Sequence, residues 1–176
     1  MQAAAGRKLL AALSASSANR LRATVTSGRR VGPPATLVKA VYSSATDQVT
    51  GGAPRSGLVL GIESSCDDTG AAVVSSSGDI LGEALATQAE IHAPWGGVVP
   101  KLAQEAHERA IDEVVALALS RAGVGGGDID AVAVTIGPGL SLCLKVGVLK
   151  ARSLSHAHSL PIIPVHHMEA HALVVR

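Results

Sequence analysis

Two histidines four positions apart, His167 and His171, lie in the stretch HHMEAHAL near the end of the sequence. On a helix, residues i and i+4 stand one above the other on the same face. That spacing lets two imidazoles share one metal ion, but a metal needs three or four donors. Zinc, iron and other divalent ions all accept imidazole, so the residues do not name the ion. Glu169 falls two places after His167, roughly 200° round the helix, and points away from the shared face. Zinc proteases of the H-E-x-x-H type carry glutamate directly after the first histidine, so a metalloprotease is the weaker alternative. His166 lies about 100° from His167 and shares its face poorly. His92, His107, His156 and His158 read as ordinary surface or core residues.

A second group of reactive side chains sits in ESSCDDTG, Glu63–Gly70. Hydroxyls, carboxylates and a glycine in a tight turn can hold phosphate or a cation, or orient a nucleophile. The same residue types also make any turn, so spacing alone leaves both readings open. Glu63 closes an apolar run, and a carboxylate placed there needs a partner. A third stretch, GPGL at Gly137–Leu140, joins an apolar run to a helical pattern. Glycines at such a junction let a ligand approach the backbone and the helix N–H groups, or simply make a tight turn.

Elements that could position these groups follow from periodicity. LVLGIE (Leu58–Glu63) reads as a buried strand, AAVVSS (Ala71–Ser76) as a second and Ile80–Thr87 as a third, with turn residues between. Close turns make the three an antiparallel meander. HAPWGGVVP reads as a loop leading to a helix that starts at Pro100 and stops at Gly123. Leu102, Ala106, Ala110, Val114 and Leu117 recur along that helix at core spacing. AVAVTIG (Ala131–Gly137) is a further strand, Leu142–Leu160 a helix, PIIPV a short strand, and HHMEAHALV opens a last helix. The order β-β-β-α-β-α-β-α predicts an α/β fold with a mixed sheet covered by helices.

The 176 residues suffice for one domain and a tail, and 47% of them are hydrophobic. Phe is absent, and Tyr42 and Trp95 are the only aromatics, so Val, Ile, Leu and Ala must build the core. A net charge of +1 does not announce a nucleic-acid binder. Residues 1–46 carry Arg7, Lys8, Arg20, Arg22, Arg29, Arg30 and Lys39 without Asp or Glu. Their Ser- and Ala-rich, basic amphipathic make-up predicts a mitochondrial transit peptide, with 47–57 as linker and 58–176 as the folded lobe. No run approaches the ~20 apolar residues of a membrane span. Cys66 and Cys143 form no CxxC pair and read as free thiols.

Four motifs in order, GIESSCDDTGAAVV, GGVVPKLAQEAH, TIGPGL and VHHMEAHAL, resemble the signatures of tRNA N6-adenosine threonylcarbamoyltransferases. The resemblance runs from Leu58 to about Val174. It implies one lobe of a two-lobed actin/Hsp70/sugar-kinase type fold, with the second lobe absent from this sequence. It implies transfer of threonylcarbamoyl from threonylcarbamoyl-AMP to N6 of the adenosine next to the anticodon, with tRNA as partner and, given the basic leader, a mitochondrial setting. Ser65, Asp67 and Asp68 then fall on the family's hairpin residues, many members having Glu where Asp68 stands. His167 and His171 fall on two ligands of one divalent metal ion, Zn or Fe. The third ligand, an aspartate, and the nucleotide-contacting residues are expected beyond Arg176, so this span by itself is expected to be inactive. A homodimer, a non-catalytic role beside a full-length subunit, and no membrane association complete the expectations.

Overall fold

The computed structural model describes residues 57–173. The expected transit peptide, and the linker apart from Gly57, lie outside these residues. Five strands form one sheet in the order β3-β2-β1-β4-β5: β1 (Leu58–Glu63), β2 (Asp68–Ser75), β3 (Ile80–Thr87), β4 (Ala131–Gly137) and β5 (Ile162–His166). β1 pairs antiparallel with β2, and β2 with β3, making the meander. β4 and β5 add on the other side of β1 as parallel strands. This mixed α/β sheet has the element order expected of a single actin-like lobe. Two strands differ in their bounds: β2 runs Asp68–Ser75 rather than Ala71–Ser76, because Asp68 already pairs with Thr87 of β3, and β5 runs Ile162–His166, one place later than PIIPV.

The expected loop after β3 contains a short helix, α1 (Ala89–His92), and a single 3₁₀ turn at Ala93–Trp95. α2 spans Pro100–Ala122, α3 Ser141–His158 and α4 His167–Leu173. Pro100 sits in the first turn of α2, where its missing N–H is no loss. Gly123 ends α2 in the left-handed conformation and donates to the Leu119 and Ser120 carbonyls. His166 belongs to β5, and the last helix begins at His167.

Alternation along the strands divides the core in two. Leu60, Ile62, Val73, Val132 and Val134 face α2 and α3, where they meet Ile111, Val114, Val115, Ala118 and Ala151. Val59, Ala72, Val74, Ala131, Ala133 and Val165 form the other cluster with Ala170 of α4. The buried face of α2 differs from the expected one. Ala103, Ala106, Ile111, Val114 and Ala118 are buried, whereas Leu117 is 39% exposed. Close approach is the reason: a Cβ on Gly82 of β3 would stand 2.4 Å from the Ala118 carbonyl oxygen. At that crossing a small side chain is needed, which Ala118 supplies, and the helical phase that buries Val114, Val115 and Ala118 turns Leu117 outward. Arg121 then donates to the Glu83 carbonyl at 2.6 Å, occupying one rung of the outer edge of β3.

Candidate functional site

β1, β4 and β5 run parallel, so their carboxyl ends lie along one edge of the sheet. That edge is where open α/β sheets place ligands. Glu63 ends β1, Thr135 lies near the end of β4, and His167 follows β5 directly. Glu63 is 6% exposed and surrounded by partners. Its Oε1 accepts the Ser65 backbone N–H at 2.7 Å, and its Oε2 accepts the Thr135 hydroxyl. His167 Nδ1 stands 3.7 Å from Glu63 Oε2 and 3.1 Å from Ser65 Oγ. Burial pushes the Glu63 carboxyl up, but His167, Ser65 and Thr135 outweigh it and hold the pKa below the ordinary 4.5. The Glu63 carboxylate in turn raises His167 above the ordinary 6.5, against the opposing effect of burial.

These contacts settle which nitrogen of His167 is the donor. Nδ1 faces a carboxylate and a hydroxyl, so the proton belongs there and Nε2 keeps its lone pair. Nε2 of His167 lies 3.0 Å from Nε2 of His171, the rings meeting edge to face at 77°. Two imidazoles bound tetrahedrally to one zinc, at ~2.0–2.1 Å each, hold their nitrogens about 3.3 Å apart. The pair therefore fits a shared divalent ion after a slight ring rotation. The Glu63 carboxylate behind His167 is the support that metal-binding histidines ordinarily have. Among the described residues, no group of three or more His, Cys, Asp or Glu side chains gathers to complete such a site.

Ser65 thus joins the histidines, whereas Asp67 and Asp68 occupy the far side of the turn. Asp68 shares its sheet face with Glu63 by strand alternation and is partly buried. Burial raises its pKa, with Asp67 acting in the same direction and a hydrogen bond with Thr87 opposing. Cys66 is exposed, yet its thiol is pushed up to about 11 by partial burial and then by the Asp67 carboxylate. Cys143 is buried and free, as expected.

The GPGL loop presses on this turn. Leu140 N–H donates to the Ser65 carbonyl at 2.8 Å, and a Cβ on Gly139 would stand 2.6 Å from that oxygen. Gly139 is therefore needed for close approach. Replacing Gly139 with alanine should displace Ser65 and cost about 1–3 kcal/mol. Urea unfolding checks this, with a change under about 0.5 kcal/mol as the contrary result.

The family model described as TsaD: tRNA N6-adenosine threonylcarbamoyltransferase matches residues 79–176, more than half of the sequence. The chain belongs to this family. A relative in Arabidopsis thaliana, named "Probable tRNA N6-adenosine threonylcarbamoyltransferase, mitochondrial", is 61% identical over 119 residues. The match covers 68% of this chain and 25% of that relative. The tRNA N6-adenosine threonylcarbamoyltransferase, mitochondrial, of Rattus norvegicus is 53% identical over 119 residues, 68% of this chain and 29% of its own length. The chain thus spans between a quarter and a third of these two relatives. Among solved structures, YeaZ from Pseudomonas aeruginosa is 21% identical with a TM-score of 0.48, covering 62% of this chain and 45% of that one.

For a member of the threonylcarbamoyltransferase family, the residues expected from sequence sit on one edge of the lobe but not in one contact network. Ser65, His167 and His171 touch in series. Thr135 was missed, and Glu63 was singled out without a role. A buried strand-end carboxylate was the available signal for Glu63. Nothing local marks Thr135, whose bond to Glu63 spans 72 positions.

Proposed function

We propose that this chain is the N-terminal lobe of an enzyme that transfers threonylcarbamoyl from threonylcarbamoyl-AMP to N6 of the adenosine next to the anticodon. The setting we propose is mitochondrial, in keeping with the basic leader and with the names of the relatives. The observation that carries the reading is the series Glu63–Ser65–His167–His171 at the carboxyl edge of the parallel strands, in a chain of this family. His167 and His171 would hold one divalent ion, Zn or Fe, through Nε2. Bound there, the ion supplies Lewis-acid polarisation of carbonyl or phosphate oxygens. Glu63 and Ser65 hold the proton on Nδ1 of His167 and keep Nε2 turned outward. Asp67 and Asp68, in the same turn, would accept hydrogen bonds from the incoming amine. The exocyclic adenine amine is a weak nucleophile, so the donor must arrive as an activated acyl group.

Two imidazoles fall short of the donors a catalytic metal needs, and the span is a minor part of the relatives' length. The span alone is therefore expected not to complete the transfer. The check is complementation of cells lacking the mitochondrial enzyme, with N6-threonylcarbamoyladenosine in mitochondrial tRNA measured by mass spectrometry. Residues 57–176 joined to the remaining part of the Arabidopsis relative should restore the nucleoside, and the 176-residue chain should not. Restoration by the short chain would remove the inactivity expectation. Failure of the joined chain, expressed and folded, would count against the assignment itself.

A further inference from the structure

On the other side of the hairpin from His167 and His171, another imidazole grips the same turn. His107 of α2 is fully buried. Its Nε2 lies 3.1 Å from the Cys66 carbonyl oxygen and its Nδ1 lies 2.7 Å from Thr69 Oγ1. A carbonyl can only accept, so Nε2 carries the proton, Nδ1 accepts, and the Thr69 hydroxyl donates. The ring therefore ties the backbone just before Asp67 to the side chain just after Asp68. We propose that His107, as the neutral Nε2–H tautomer, is a positioning residue that clamps the Cys66–Thr69 turn and sets the direction of Asp67 and Asp68.

A second set of contacts links this turn to the same helix through Gln88, which precedes α1. The Asp67 carbonyl accepts the Gln88 backbone N–H at 3.1 Å. The Gln88 side chain donates to the Ala103 carbonyl at 3.3 Å and accepts from His92 Nε2 at 3.0 Å. His92 Nδ1 accepts the Val99 N–H at 3.4 Å. Ala103 and His107 are four apart on α2 and so share a face. Each donor in this set has one acceptor, which leaves the turn little freedom to shift. Burial also pushes the His107 pKa down, against the Cys66 carbonyl and the Glu63, Asp67 and Asp68 carboxylates. The neutral form that the geometry requires is thus the form that burial favours.

The functional meaning of this clamp rests on the reading of Asp67 and Asp68 as site carboxylates, but its test does not depend on tRNA modification. Cys66 lies inside the clamped turn, and buried Cys143 serves as an internal control for unfolding. Iodoacetamide alkylation of both cysteines is followed by mass spectrometry in the wild-type chain, His107→Phe, His107→Gln and Thr69→Val. His107→Phe keeps a ring without nitrogens; loss of its two bonds should free the turn, relieve the partial burial and Asp67 contact that suppress the exposed Cys66 thiolate, and speed its alkylation about tenfold with Cys143 unchanged. His107→Gln, which keeps one donor and one acceptor, should recover part of that protection. Nitrogen-15 NMR of the wild-type His107 ring should show the Nε2–H tautomer near neutral pH. The Nδ1–H tautomer, or an unchanged Cys66 rate in a folded His107→Phe chain, would overturn the proposal. If both cysteines react faster together in His107→Phe, Thr69→Val decides: Cys66 must accelerate alone, and an unchanged rate there overturns the clamp. A chain with the clamp intact whose joined form fails to modify tRNA would sink the enzymatic assignment and leave the clamp standing.

Discussion

Alanine at His171 is expected to lower the affinity of this lobe for a divalent cation by at least roughly a hundredfold. Second-shell changes at metal sites typically cost about 10–100-fold, and His171 would be lost as a direct ligand. One of two converging Nε2 atoms disappears, so chelation falls back to a single imidazole. A cation that would bridge the two Nε2 atoms, 3.0 Å apart, then has no second nitrogen to meet. His171 is only partly buried and lies near the end of the described chain, so the fold should change by less than about 1 kcal/mol. Titration of zinc or cobalt by calorimetry, with urea unfolding as the companion measurement, reads both quantities. Equal affinity in the wild-type chain and His171→Ala would show that the pair is not the binding site.

Glutamine at Glu63 should produce the other large effect, a loss of about 2 kcal/mol near pH 5.5 that shrinks on either side. Its sign follows from the two shifts. Glu63 has a folded pKa below the ordinary 4.5, so its contribution is present above that value and lost as pH falls through the folded pKa. His167 has a folded pKa above the ordinary 6.5, so its contribution is present below 6.5 and lost as pH rises through the folded value. Both are present together between about 4.5 and 6.5, where carboxylate and imidazolium face each other. His107 and Asp68 also titrate with shifted values, and the Glu63 carboxylate contributes to both, so the difference between the two curves carries their smaller changes beside that of the pair. Urea midpoints from pH 4 to 8 would show it. A deficit that stays flat with pH would mean that Glu63 acts through shape and neutral hydrogen bonds alone.

Much of the scaffold is readable from local pattern. The bounds of β1, β3 and β4 follow from apolar runs between turn residues, and Pro100 and Gly123 mark the ends of α2. The pair His167 and His171 is readable too, because four residues is a helical distance that needs no knowledge of the rest. Relations set by packing are not. Leu117 looks like core on periodicity but faces outward, because α2 turns Val114, Val115 and Ala118 to the sheet and passes Gly82 on the small Ala118. His107 looks like an ordinary buried histidine until the hairpin folds against it. Thr135 is an unremarkable strand residue until parallel pairing brings β4 beside β1.

The long-range character of the site bears on how the chain acquires it. Ser65 and His167 are 102 positions apart, and Glu63 and Thr135 are 72 apart. Synthesis from the N-terminus delivers the β1–β3 hairpins and α2 first, then β4, and only then β5 and His167. Closing such long loops is entropically costly and becomes favourable only after nearby packing has brought the ends together. Glu63 therefore spends the early part of folding as a carboxylate awaiting its partners. Ser65 and Thr135 of β4 compensate part of its desolvation, and the set is complete only when the fifth strand has docked. The Glu63–Ser65–His167 geometry thus arrives with the finished sheet, and a chain halted short of β5 would have none of the His167 contacts.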